Sequence, residues 1–194
     1  SGTQESAPAP KITVSDYGLK YNILRILRSK GCRVTAFPAT ASAQDILSQQ
    51  PDGVLLSPGP GDPELLDYTV ETAKRLIGRA PIMGICLGNQ ILARAFGGKT
   101  FKLKFGHRGA NHSVRDLSTG LVYVTAQNHG YAVDPDSLPS EVEVSHVNLN
   151  DGTLEGLRHG SLPVMGIQYH SEAAPGPHDN EYIFDRFLDM VREA

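Results

Sequence analysis

Tryptophan is absent, cysteine occurs only at Cys32 and Cys86, and no long hydrophobic run appears anywhere in the 194 residues. Two cysteines are too few for the disulfide framework of a small secreted fold, so a reducing, cytoplasmic setting is expected. The longest apolar stretches, such as Gly53 to Leu56 and Ile82 to Leu87, fall far short of the roughly 20 residues of a membrane span. The opening Ser1-Gly2-Thr3-Gln4-Glu5-Ser6 is not a charged-then-apolar leader, and the lack of an initiator Met points to a trimmed or fused chain. Neither sign of charge dominates: 18 Lys and Arg against 21 Asp and Glu give a formal net charge of −3. With no basic stripe, nucleic acid is not an expected partner. Disorder is excluded by 40% hydrophobic against 20% charged residues. A chain of this length buries roughly 70% of its unfolded surface, enough for one domain with a real core.

What is there alternates. Residues 1–10 are small and polar with two prolines and read as a linker or tag remnant; residues 11–194 read as one domain. Within it, Ile12 to Val14, Cys32 to Phe37, Val54 to Ser57 and Pro81 to Ile85 are strand-like. Tyr21 to Lys30, Asp45 to Gln49, Pro63 to Gly78 and Leu87 to Phe96 have helical spacing between them. Such alternation predicts an α/β domain: an open, mostly parallel sheet with helices on both faces. After Gly97-Gly98 the pattern changes to Thr100 to Lys104, Ser113 to Asp116, Leu121 to Gln127, Val142 to His146, Thr153 to Arg158 and Val164 to His170. These read as strands in added hairpins, and an amphipathic helix from Glu181 to Val191 closes the chain.

Chemistry concentrates at three places. In Gly84-Ile85-Cys86-Leu87-Gly88 a buried strand runs into a helix with a cysteine at the corner. Glycines at that spacing permit a sharp turn that lifts the central side chain at the carboxyl end of the sheet. The helix N-terminus there favours thiolate over thiol. Cys86 is therefore a candidate nucleophile, although a small buried cysteine is the ordinary alternative. Cys32, in a plain strand, is assigned to the core. His170-Ser171-Glu172 supplies a base and its orienter, because residues i and i+2 of an extended chain face the same side. Ser57-Pro58-Gly59-Pro60-Gly61-Asp62-Pro63 follows a strand and precedes a helix; the Gly59 and Leu87 N–H groups together form a candidate oxyanion hole. Taken alone, such a loop reads as a rigid surface turn, as most Gly-Pro clusters do.

With those residues set out, the chain resembles the class I, triad-type glutamine amidotransferases. More narrowly, Gly106 to His112, Gln127 to Val133 and Ala174 to Asp179 are similar to the small, glutamine-hydrolysing subunit of carbamoyl-phosphate synthase. The likeness runs from about Lys11 to Val191. It implies a flavodoxin-like fold and hydrolysis of glutamine through a Cys86 thioester, with His170 and Glu172 completing the triad. It also implies glutamine binding by Gly59, Gly61, Leu87, Gln90, Asn128, Gly130 and Tyr131. Ammonia would pass to a large synthetase subunit for pyrimidine or arginine biosynthesis. No metal or organic cofactor is implied for the hydrolysis, ATP and Mg being expected only on that partner. The family often has His where this chain has Asn89, and Pro where it has Ser171; the missing proline predicts a looser His170–Glu172 pair. The glutaminase component of anthranilate or aminodeoxychorismate synthase shares the elbow and triad and is the alternative enzyme. A non-catalytic docking module would have lost the nucleophile or base, and a γ-glutamyl peptidase would share the thiol chemistry.

Other signals are weaker. Gly97-Gly98-Lys99-Thr100 ends like a phosphate loop, but Ala93 stands where its first glycine belongs. His107, His112 and His129 lack a Cys or carboxylate cluster at ligand spacing, so no metal site is expected.

Overall fold

Gly53–Leu56 and Ile82–Ile85 are buried at every position, and residues with no exposed face belong at the centre of a covered sheet. The computed structural model, which describes residues 8–173 and 180–194, places them there. The strands are β1 (Lys11–Asp16), β2 (Arg33–Pro38), β3 (Gly53–Leu56), β4 (Ile82–Ile85), β5 (Lys99–Asp116), β6 (Val122–Asp134), β7 (Val142–Asn148), β8 (Leu154–His159) and β9 (Val164–Ile167). The helices are α1 (Tyr21–Ser29), α2 (Ala43–Ser48), α3 (Asp67–Leu76), α4 (Leu87–Ala95) and α5 (Tyr182–Glu193), with short 3-10 turns at Pro63–Leu65 and Pro135–Ser137. One nine-stranded sheet has the order β2-β1-β3-β4-β9-β8-β7-β5-β6. Strands β2, β1, β3, β4 and β9 run parallel, while β8, β7, β5 and β6 continue the sheet antiparallel.

Alternation along each central strand divides the core. Val14, Leu55, Met83 and Ile85 pack on one face against Ile23 and Leu27 of α1 and Phe184 and Phe187 of α5. Val54, Leu56 and Ile82 pack on the other against Ile46, Val70, Leu76 and Ile91 from α2, α3 and α4. Cys32 lies in the first cluster, as expected of a core residue. Because these five strands are parallel, the loops after β1, β3, β4 and β9 emerge along one edge of the sheet, which is where such folds place ligands.

Four elements differ from the sequence reading. The helix predicted over Pro63 to Gly78 is a 3-10 turn capped by Asp62 and then α3, and Ile77 (ψ 129°) ends it before Gly78. The two strands predicted at Thr100 to Lys104 and Ser113 to Asp116 are one long β5 whose pairing with β6 shifts register twice. Strand β6 extends to Asp134, so Gln127 to Val133 is strand. Strand β9 stops at Ile167, and His170 and Glu172 follow in a turn, so strand alternation does not explain their common orientation. Ala174 to Asp179 lies outside the described residues.

Close backbone approach fixes the corner between β4 and α4. A Cβ on Gly88 would overlap the Leu56 carbonyl, and one on Gly84 would lie 2.5 Å from the Gly88 carbonyl carbon and oxygen. Neither obstacle is a flexible side-chain end. Gly88→Ala is expected to cost about 3 kcal/mol, lowering Tm by roughly 10 °C in thermal unfolding. Gly160→Ala, whose Cβ would meet nothing nearer than 3.5 Å, is expected to leave Tm nearly unchanged.

Candidate active site

At the end of β4 the chain turns through Cys86, which has φ 53° and ψ −104°, a conformation that L-residues rarely adopt. The neighbouring strand supports the turn, since Cys86 N–H donates to the Ile167 carbonyl at 2.8 Å. Helix α4 begins at the next residue, so the sulfur stands at a helix N-terminus. Cys86 is only 4% exposed, yet it lines a cavity of about 370 Å³ and a second one of about 390 Å³ that shares much of the same wall.

His170 reaches Cys86 from the turn after β9. Its backbone N–H donates to the Ala126 carbonyl at 2.8 Å, which ties the turn to β6. The ring Nδ1 lies 2.7 Å from Glu172 Oε1. Cys86 and His170 line one cavity, and with Nδ1 taken by Glu172 the nitrogen left for the sulfur is Nε2. Glu172 is buried, and it is held from the entrance to α1: Lys20 Nζ is 3.4 Å from its Oε1, and Asn22 Nδ2 donates to its backbone carbonyl at 2.7 Å. Serine at position 171 has not loosened the His170–Glu172 contact.

The electrostatics follow from this packing. Burial opposes a charged His170, but the neighbouring Cys86 and Glu172 side chains outweigh it and push the ring up to about 9. Burial likewise opposes a charged Glu172, and the His170 hydrogen bond and charge outweigh it, so the carboxyl is held below its usual range.

The remaining residues named from the sequence converge on the same place. Gly59, Gly61, Leu87, Gln90, Asn128, Gly130 and Tyr131 all line the 370 Å³ cavity beside Cys86. Gly59 is required by contact, because a Cβ there would overlap the Tyr17 carbonyl. Among the described residues the Gly59 and Leu87 N–H groups have no acceptor. Asp62, Lys102 and Arg108 also line the cavity and escaped the sequence reading. Lys102 and Arg108 pair across the β5–β6 ladder with Tyr131 and Asn128, a register that no local motif discloses.

Behind this wall His107, His129 and Glu155 bring ligand-type atoms within 4.8 Å of one another. Other contacts occupy those nitrogens. His107 Nε2 meets Asp151 at 2.7 Å and Nδ1 meets Gln127 Oε1 at 3.0 Å, while the His129 nitrogens meet the Tyr131 carbonyl and Gln127, each at 2.7 Å. The Glu155 carboxylate, aided by Asp151, raises His107 to about 9 against the effect of burial, whereas burial lowers His129 to about 4. The cluster reads as a brace behind the cavity wall.

The model of the class-I glutamine amidotransferase family matches residues 13–190. The chain belongs to that family. It is 56% identical over 180 residues to a carbamoyl phosphate synthase small chain from Akkermansia muciniphila, covering 93% of this chain and 48% of that one. It is 53% identical to the chloroplastic small chain of Arabidopsis thaliana, covering 95% and 43%. The chain thus spans about half the length of the curated relatives it matches. Two solved structures share the amidotransferase fold. A GMP synthase-type protein from Thermoplasma acidophilum superposes with a TM-score of 0.85 at 23% identity, covering 97% of this chain and 96% of that one. A glutamine amidotransferase from Thermotoga maritima gives 0.69 at 16% identity, covering 97% and 86%.

The buried His170–Glu172 pair of this amidotransferase domain sets a pH window. With its folded value below the ordinary 4.5, Glu172 contributes stability that is present above about pH 4.5 and lost as pH falls through the folded value. His170, raised from 6.5 to about 9, contributes stability that is present below about 6.5 and lost as pH rises through about 9. The Tm difference between wild type and Glu172→Gln is therefore expected to be largest between pH 4.5 and 6.5 and to shrink towards pH 9. Thermal unfolding across that range checks it, and a difference independent of pH contradicts it.

Proposed function

We propose that the domain hydrolyses L-glutamine to glutamate and ammonia through a thioester on Cys86. The observation that carries this reading is that His170, bonded to the Glu172 carboxylate, lines one cavity with Cys86. The Cys86 thiolate attacks the side-chain amide carbon, and the carbonyl oxygen becomes an oxyanion beside the Gly59 and Leu87 N–H groups. His170, as imidazolium, gives its proton to the departing nitrogen and ammonia leaves. The now neutral ring takes a proton from water, the hydroxide adds to the thioester, and the second oxyanion collapses with loss of the thiolate to give glutamate. Glu172 keeps Nδ1 as the protonated nitrogen throughout and supports the imidazolium. Gly61, Gln90, Asn128, Gly130 and Tyr131 hold the amino-acid head, for which backbone groups and amide side chains are suitable partners. No step draws on a metal or organic cofactor.

We further infer that the ammonia feeds the large subunit of a carbamoyl-phosphate synthase, where bicarbonate, ATP and Mg are used. Identity above 50% to small chains of that enzyme supports this over a chorismate-using partner. On this reading the isolated domain turns over slowly and speeds up when the large subunit docks. Glutamate release is the test. Wild type is expected to exceed Cys86→Ala by roughly 10⁴-fold or more, the scale of removing a triad nucleophile. Added large subunit is expected to raise the wild-type rate further. Equal release by the two proteins contradicts the catalytic reading, and a rate unmoved by the large subunit contradicts the partner.

A further inference from the structure

Gln168 is fully buried, and the steps above give it no task. Parallel pairing of β4 with β9 sets Ile85 opposite Ile167, so the next residues, Cys86 and Gln168, leave their strands side by side. The Gln168 side-chain nitrogen lies 3.6 Å from Cys86 Sγ.

Which end of a side-chain amide faces a neighbour is decided by its hydrogen-bond network, and here a backbone carbonyl decides it. The Tyr131 carbonyl can only accept, so the Gln90 group 2.9 Å from it is the NH₂. That same NH₂ is 3.1 Å from the Gln168 side chain, which must therefore present its oxygen there. Asn89 Nδ2, at 3.4 Å, gives the oxygen a second donor. What remains to face the sulfur is the Gln168 NH₂. Asn89 comes close enough to help because position 166 is glycine: a Cβ there would overlap Asn89 Oδ1.

We propose that Gln168 is a further catalytic residue, donating an N–H to the Cys86 sulfur, and that Asn89 and Gln90 are positioning residues that hold its amide in that orientation. The proposal rests on the assignment of Cys86 as nucleophile. A donor on sulfur stabilises the thiolate more than the neutral thiol, because hydrogen bonds to ionised groups are the stronger ones. It raises the share of protein ready to attack and eases departure of the thiolate from the second oxyanion. Sulfur then has two fixed contacts, His170 for the proton and Gln168 for the charge. Asn89 thereby acquires a purpose in this chain, as a donor to Gln168 one residue before the pocket-lining Gln90.

Peptide-resolved alkylation of Cys86 by iodoacetamide at neutral pH, without glutamine, tests this. Gln168→Met keeps the volume and loses the donor; alkylation is expected to slow about tenfold, equivalent to about 1.4 kcal/mol. Gln168→Glu, which sets an acceptor beside the sulfur, is expected to be slower still, and Asn89→Ala to fall between wild type and Gln168→Met. The thiolate ultraviolet absorbance should decline in the same order. A folded Gln168→Met or Gln168→Glu protein alkylated within about twofold of wild type overturns the proposal. Because this readout needs no turnover, it stays separate from the glutaminase assay: wild type that alkylates readily yet releases no glutamate counts against the glutaminase reading, while the variant ratios still decide Gln168.

Discussion

The approach of the Leu56 carbonyl to the backbone of Gly88 is the constraint on which the site depends. It lets the first turn of α4 sit directly against the end of β3, bringing the Gly59 loop next to the Leu87 amide and opening the shared pocket. The arrangement carries a backbone cost, since a non-glycine residue at φ 53° costs on the order of 1–3 kcal/mol and persists only where its surroundings over-determine it. Here the Ile167 carbonyl, the fit of Gly84 beneath Gly88 and the buried helix provide that determination. The corner leaves Cys86 both packed in the apolar cluster with Met83 and Ile85 and on the wall of a cavity.

Electrostatics at the corner take the same form. Removing His170 and Glu172 from water disfavours both charges, and each remains stable because the other is within hydrogen-bond distance. Lys20 and Asn22 then hold Glu172 from a third part of the chain. Cys86, His170 and Glu172 are thus brought together from the ends of β4 and β9, neighbours in the sheet, and steadied by the start of α1. Loss of either buried partner would leave the other charge uncompensated, so positioning and stability depend on the same contact.

Much of this was legible in the sequence, and most of what was not traces to strand register. Glycine spacing around Cys86 disclosed the elbow, because only glycine tolerates those approaches, and alternating apolar runs disclosed four of the five parallel strands, β9 having been read among the added hairpins. His170 and Glu172 were found two residues apart, but the reason offered, strand alternation, gave way to a turn tied to Ala126 and Asn22. Lys102, Arg108 and Gln168 were missed because each owes its place to register: β5 against β6 for the first two, β9 against β4 for the third. Pairing between distant strands leaves no local periodicity to read. The split of Pro63 to Gly78 was missed for a different reason, since Asp62 captures the first turn as a 3-10 cap before α3 begins.

One register signal does lie in the sequence, once the neighbouring strands are known. Met83-Gly84-Ile85 and Met165-Gly166-Ile167 are the same tripeptide, and the sheet pairs them residue for residue. The two glycines therefore lie side by side, and the start of α4 rests on both: the Gly88 backbone over Gly84, the Asn89 side chain over Gly166. A larger side chain in either row would lift the helix from the sheet and carry the Leu87 amide away from the pocket. Just past the repeat the two strands diverge in chemistry, to Cys86 on one and Gln168 on the other, so the register that seats the helix also sets a thiol beside an amide. A slip of one residue would place Ile167 against the sulfur and turn the His170 segment to the opposite face. Packing beneath α4 and the chemistry at its N-terminus are consequently specified by the same pairing of β4 with β9.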